Sequence, residues 1–135
     1  MAQRYFTSSE ANELLAEVRP LAESLVQHRQ GMRQAAERRA RLTARIAGNG
    51  GDLDPQEPGE LDEQFQRESH AVTQAAERLE RLGVQVKDLD RGLVDFPALH
   101  EGQEVLLCWQ VGEDEVAYWH GVDEGFAGRK PLPLD

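Results

Sequence analysis

At 135 residues and a net charge of −10, the chain has room for one domain, or one domain carrying a protruding hairpin. No run of apolar residues approaches the length that crosses a bilayer. The single cysteine, Cys108, excludes an internal disulfide, and its place in the apolar run Val105–Trp109 reads as a buried, reduced thiol in a cytoplasmic protein.

The opening Met-Ala-Gln-Arg-Tyr-Phe-Thr-Ser-Ser-Glu lacks the apolar stretch of a signal peptide and leads straight into a helix start. Thr7 and Glu10 stand at capping-box spacing, and Phe6 is placed to staple onto Ala11. A heptad ladder then runs through Leu14, Val18, Leu21, Leu25, His28, Met32, Ala35, Arg39, Leu42 and Ile46, which predicts a helix to about Ala47. Pro20 falls inside it, so a kink or a break is expected near Ala16–Pro20. Residues 48–60, rich in glycine, proline and aspartate, read as a solvated tip. A second ladder, Leu61, Phe65, Glu68, Val72, Ala75, Leu79 and Leu82, predicts a helix over about Glu60–Leu82 that stops at Gly83.

Folded back antiparallel, the two ladders match. Ile46 meets Leu61, Leu42 meets Phe65, Ala35 meets Val72 and Leu25 meets Leu82. In this register the two charged ladder residues, Arg39 and Glu68, also meet, as a pair inside the seam. Leu15, Ala22, Val26 and Ala36 widen the first helix's apolar face beyond what one partner covers, which predicts a two-fold homodimer.

From Val84 the period changes to that of strands. Val84–Lys87 alternates, Arg91-Gly92 turns the chain into Leu93–Phe96, and Pro97 ends that strand. Glu104–Val111 is apolar on both faces and should lie centrally. Val116–Val122 should pair with it, placing Val116 opposite Val111, Tyr118 opposite Trp109 and His120 opposite Leu107. The glycine- and proline-bearing tail is expected to cap an edge. The fold class is therefore α+β: a helical coiled-coil hairpin over residues 1–83, then a small antiparallel sheet over residues 84–135 packed on residues 8–25, forming one structural unit.

Residues 1–47 hold eight arginines and five glutamates, a net of +3, and the remaining residues carry a net of −13. Arg29, Arg33, Arg38, Arg39, Arg41 and Arg45 form a basic stripe, but the facing helix carries Glu60, Asp62, Glu63, Glu68, Glu77 and Glu80. Ion pairing within the hairpin accounts for the stripe, and nucleic acid is the weaker reading of it. Phosphate loops, dinucleotide fingerprints, zinc cysteine pairs and nucleophile elbows are all missing from the sequence. What remains is polar. Asp88, Asp90 and Asp95 surround one tight turn, and His120 lies on an otherwise apolar strand face. Carboxylates with an imidazole suit a divalent metal such as manganese, iron or zinc. The competing reading is turn hydrogen bonding by the aspartates and a single carboxylate, Asp95 or Asp88, on a buried His120 ring. Arg129 is placed to clamp a carboxylate, with Glu113 a candidate.

The segments Val-Lys-Asp-Leu-Asp-Arg-Gly-Leu-Val-Asp-Phe-Pro, Val-Leu-Leu-Cys-Trp, Tyr-Trp-His and Gly-Phe-Ala-Gly-Arg, with the opening Phe-Thr-Ser-Ser-Glu-Ala-Asn, resemble an uncharacterised bacterial domain family. Some of its members carry the label division initiation protein. The resemblance implies that Asp88, Asp90, Asp95, Trp109, Glu113, Trp119, His120 and Arg129 occupy family motif positions, without assigning them roles. The leading functional expectation is a non-enzymatic interaction or scaffold module built on the hairpin. The alternatives are a metal-binding protein or small metal-dependent hydrolase using the Asp/His group, and a nucleic-acid binder using the arginine-rich helix.

Overall fold

The computed structural model describes residues 3–49 and 54–134. The first helix, α1, spans Ser8–Asn49. Its start is a reciprocal capping box: the Thr7 N–H donates to Glu10 Oε1 at 2.9 Å and the Glu10 N–H donates to Thr7 Oγ1 at 3.1 Å. The donated bonds from Thr7 hold the Glu10 carboxyl below its ordinary pKa. Phe6, just before the cap, is buried and its N–H donates to the Pro97 carbonyl at 2.7 Å. Its ring meets Phe96 edge to face with centroids 5.4 Å apart, so the helix start is fastened to the sheet. The expected break at Pro20 does not occur. α1 continues through it, because Pro20 and Ala16 both lie on the exposed side, where the Ala16 carbonyl that loses its partner has access to water.

The second helix, α2, spans Glu57–Arg81 and starts three residues earlier than its ladder suggests. Pro58 fits the first turn, where a backbone N–H would have no helical partner. The described part of the expected tip is thus mostly helical, and residues 50–53 lie outside the described residues. α2 ends in a Schellman motif. Gly83 takes φ +92°, its N–H donates to the Glu80 carbonyl at 2.9 Å, and the Val84 N–H donates to the Leu79 carbonyl at 3.0 Å.

Both ladders face inward: Val18, Leu25, Ala35 and Leu42 are buried on α1, as are Leu61, Val72, Ala75 and Leu79 on α2. Their register, however, differs from the expected one. Arg39 approaches Asp62 at 3.9 Å, whereas Glu68 accepts the partnership of His28 Nδ1 at 2.8 Å. The expected Arg39–Glu68 pair is therefore not formed, and the helices are displaced by roughly one heptad. A slip of that length leaves the apolar seam intact, so periodicity cannot detect it. Gly31 supplies the local reason. The Glu68 carboxylate occupies the space of a side chain there, and a Cβ on Gly31 would lie 2.5 Å from its carboxylate carbon.

Five antiparallel strands follow in a simple meander, β1 (Gln85–Asp88), β2 (Leu93–His100), β3 (Gln103–Gln110), β4 (Tyr118–Gly121) and β5 (Lys130–Pro131). A short 3-10 turn, Phe126–Gly128, precedes β5. β2 runs on past Pro97. β1 pairs with β2 only as far as Asp95, so Pro97 sits on a stretch of edge where its missing N–H leaves no ladder bond unmade. Glu101 and Gly102, both at positive φ, then turn the chain into β3 in the manner of a two-residue hairpin.

The pairing of β3 with β4 is one residue out of the expected register. His120 lies opposite Leu106 and Tyr118 opposite Cys108, rather than Leu107 and Trp109. The cause is on α1. Asn12 Oδ1 accepts the Val116 N–H at 2.7 Å and Asn12 Nδ2 donates to the Val116 carbonyl at 3.2 Å, so Val116 bonds the helix instead of Val111. Arg19 adds bonds to the carbonyls of Glu113 and Asp114 at 3.0 and 2.7 Å. A slip of one residue exchanges the faces of a strand. The inner face, carrying Val94, Phe96, Ala98, Val105, Leu107 and Trp109, packs on α1 and forms one core with its residues Ala11–Leu25 and with Val72, Ala75 and Leu79 of α2. Asp95, Leu106, Cys108 and His120 fall on the outer face.

Inner-face packing also removes the argument from surplus apolar area on α1. Leu15 and Ala22 are buried under the sheet, and Val26 lies against Gly92, where a Cβ would meet it at 3.0 Å; only Ala36 of that set is exposed. Replacing Asn12 by alanine should cost about 1–3 kcal/mol in chemical denaturation, because the Val116 N–H is left in a half-buried site without an acceptor. An unchanged denaturation midpoint would contradict the role given to Asn12.

Candidate functional site

Three adjacent strands each place one polar side chain on the outer sheet face. Asp95 from β2 lies opposite Cys108 of β3, and His120 of β4 lies one pairing step along. Their relative exposures are 1%, 0% and 4%, so the group is closed to solvent. His120 Nε2 lies 3.2 Å from Asp95 Oδ1, and His120 Nδ1 lies 2.8 Å from the Gly121 carbonyl oxygen. A carbonyl only accepts, so Nδ1 carries a proton and Nε2 is aimed at the carboxyl. The second shared proton resides either on Nε2, as an imidazolium–carboxylate pair, or on Asp95. Burial pushes the Asp95 carboxyl above its ordinary range, opposed by the charge and hydrogen bond of His120. Burial, with the charge of Asp95 beside it, pushes the Cys108 thiol up to about 12, so it stays protonated at neutral pH. One atom from each of the three side chains lies within 4.8 Å of the others.

The other expected metal ligands are elsewhere. Asp88 Oδ1 accepts the N–H groups of Asp90 and Arg91 at 2.8 and 3.2 Å, which is turn chemistry. Asp90 is exposed and pairs with Arg29 at 3.2 Å and with Arg33. The set Asp88, Asp90, Asp95 and His120 is therefore not assembled; only Asp95 and His120 meet, with Cys108 as third member. Cys108 escaped sequence reasoning because the run Val105–Trp109 is apolar on both faces, and the face it shares with His120 depends on the β3–β4 register.

Arg129 and Glu113 do meet, as a bidentate pair: Nη1 to Oε2 at 2.9 Å and Nη2 to Oε1 at 2.9 Å. The guanidinium also lies over the rings of Tyr118 at 4.0 Å and Phe126 at 4.5 Å. Burial would lower the Arg129 pKa, but the hydrogen bond that Arg129 donates to Glu113 and neighbouring negative charge carry it above its ordinary value. Its Nε is buried without a hydrogen-bond partner among the described residues. Glu113 further accepts the Gln110 N–H at 2.9 Å, and its carbonyl accepts Trp109 Nε1–H at 3.0 Å, so the clamp fixes the turn that follows β3.

Asp95→Ala leaves His120 Nε2 unpaired in a closed site and should cost about 1–3 kcal/mol by denaturation; Asp95→Asn, which retains a polar partner, should cost less. Equal effects of the two substitutions would contradict the pairing. The thiol gives a pH test. Its native pKa lies above that of the unfolded chain, so its contribution is complete below the unfolded value of about 8.5 and is lost as pH rises toward about 12. Chelator-treated wild-type protein should lose stability above pH 9 more steeply than Cys108→Ala. Identical slopes in thermal melts would contradict the burial of a protonated thiol.

No curated protein and no solved structure matches the chain. A family model does, over residues 4–132, which takes in both helices, all five strands and every residue of the buried group. The chain belongs to the family described as Uncharacterized conserved protein (DUF2203).

Proposed function

We propose that the protein is a non-enzymatic interaction module whose helical hairpin docks first onto a second copy of the same chain. The observation that carries this reading is the far half of the hairpin. The core that joins helices to sheet draws on α1 only as far as Met32 and on α2 only from Val72 onward. Beyond it, Ala35, Leu42 and Leu61 are buried between two helices alone. Residues 33–49 hold five arginines and one glutamate, and residues 57–68 hold five acidic side chains and one arginine. The arm is thus about 24 Å of paired helix with one basic and one acidic side.

Within the hairpin, Arg39–Asp62 and Arg45–Glu57 use part of that charge. Arg38 and Arg41 on α1, and Glu60 and Glu63 on α2, are exposed and make no ion pair among the described residues. A two-fold axis beside the arm sets the basic helix of each copy against the acidic helix of the other, which satisfies both sets at once. Ile46, 51% exposed near the far end of α1, adds apolar area to the same arm. An acidic helix alongside the arginines also supports a protein partner over nucleic acid. Catalysis is the less favoured reading because Asp95, Cys108 and His120 are closed off, and a substrate would have to pass through packed side chains to reach them. A reducing compartment such as the cytoplasm suits the buried free thiol.

Charge reversal tests the reading. Light scattering should show a dimer that dissociates as salt rises. Arg38→Glu with Arg41→Glu should yield monomer, as should Glu60→Arg with Glu63→Arg, and mixing the two variants should restore the dimer. A wild-type monomer at all micromolar concentrations, or variants that dimerise as well as wild type, would overturn it.

A further inference from the structure

We infer that Asp95, Cys108 and His120 form a binding site for a thiophilic divalent cation of the zinc class, held as a structural staple across β2, β3 and β4. The three side chains offer a carboxylate oxygen, a sulfur and an imidazole nitrogen from three neighbouring strands, with those atoms within 4.8 Å of one another. A tetrahedral zinc ion needs its ligand atoms roughly 3.3–3.8 Å apart, given metal–ligand distances of about 2.0–2.3 Å. His120 Nε2 and Asp95 Oδ1 already stand at 3.2 Å, so small side-chain movements close the set. The Gly121 carbonyl holds the proton on Nδ1 at 2.8 Å, and this leaves Nε2 as the ligating nitrogen. Outer bonds of that kind orient metal-bound histidines.

The donor types select the ion. Sulfur with imidazole favours zinc over magnesium, calcium or manganese, which prefer oxygen alone. On binding, a sulfur–metal bond replaces the sulfur–hydrogen bond, and ligation by Nε2 and the carboxylate displaces the proton held between His120 and Asp95, so two protons leave to solvent; no electron moves. Thiolate and carboxylate together then match the charge of the ion, which removes the cost of isolated charge on a buried sheet face. On the same side, Arg129 has its Nε buried without an acceptor among the described residues, and its charge acts on Cys108. It supplies a donor for a water or small anion in the fourth position. Asp88 and Asp90, tied up in the turn and with Arg29 and Arg33, take no part.

A closed site loads most readily as the chain folds. The experiment is therefore refolding of the full chain with Zn²⁺, with Co²⁺ or with chelator, followed by metal analysis, absorption spectroscopy and thermal melts. About one metal per chain is expected, together with a thiolate-to-cobalt charge-transfer band that is absent in Cys108→Ser and present in Asp88→Asn and Asp90→Asn. Zinc at 100-fold above its Kd should raise Tm by on the order of 10 °C. Should Cys108→Ser fail to fold, the wild-type cobalt spectrum decides alone. Wild-type chain that refolds without stoichiometric metal, binds cobalt without the thiolate band, or melts at the same temperature with and without zinc would overturn the assignment.

Discussion

The side-chain amide of Asn12 gives Val116 both of the bonds that a neighbouring strand would otherwise give it. Much of the outer sheet face depends on that contact. Because Val116 bonds α1, β4 begins at Tyr118 and pairs with β3 one residue away from the register that simple alternation suggests. His120 then shares a face with Asp95 and Cys108 instead of facing the helices. Arg19 holds the same loop from one side through Glu113 and Asp114, and Arg129 holds Glu113 from the other. A helix and a clamp together set the position of a four-residue strand, too short to fix its own register.

The hairpin and the sheet have different logics. Near the sheet, α1 is covered on two sides, by α2 and by β2–β3, and its Ala11, Val18, Ala22 and Leu25 are fully buried. Beyond Arg33, which still reaches Asp90, the same helix has only α2 for a partner among the described residues, and its stability rests on a single seam and on ion pairs exposed to water. Such pairs contribute little stability each and are screened by salt. They are better suited to specifying a partner than to holding a fold. The Glu68–His28–Gly31 contact stands at the junction between the two regimes, where a glycine in mid-helix admits a carboxylate and sets how far the helices slide past each other.

How much of this was legible in the sequence follows from the range of the forces involved. Both helices, the capping box at Thr7 and Glu10, the stop at Gly83 and the strand character of residues after Val84 are local, and they were readable. The heptad register was not, because displacement by one repeat returns the same apolar seam. Likewise Pro97 reads as a terminator unless the edge position of that part of β2 is known. At the buried group, His120 and Asp95 were legible as a carboxylate–imidazole pair, and Arg129 with Glu113 as a clamp. Cys108 was not, since its face is decided by Asn12, an interaction across 104 residues. Asp88 and Asp90 were overread: clustered carboxylates around a glycine turn are most simply explained by the turn.

The buried group requires His120 on the outer side of the sheet, and NMR reads this placement directly. Cross-strand NOEs should connect Leu106 with His120 and Cys108 with Tyr118, and the imidazole ring protons should show NOEs to the Cys108 β-protons. NOEs that instead connect Leu107 with His120 and Trp109 with Tyr118, with the imidazole among the helix-facing side chains, would contradict it.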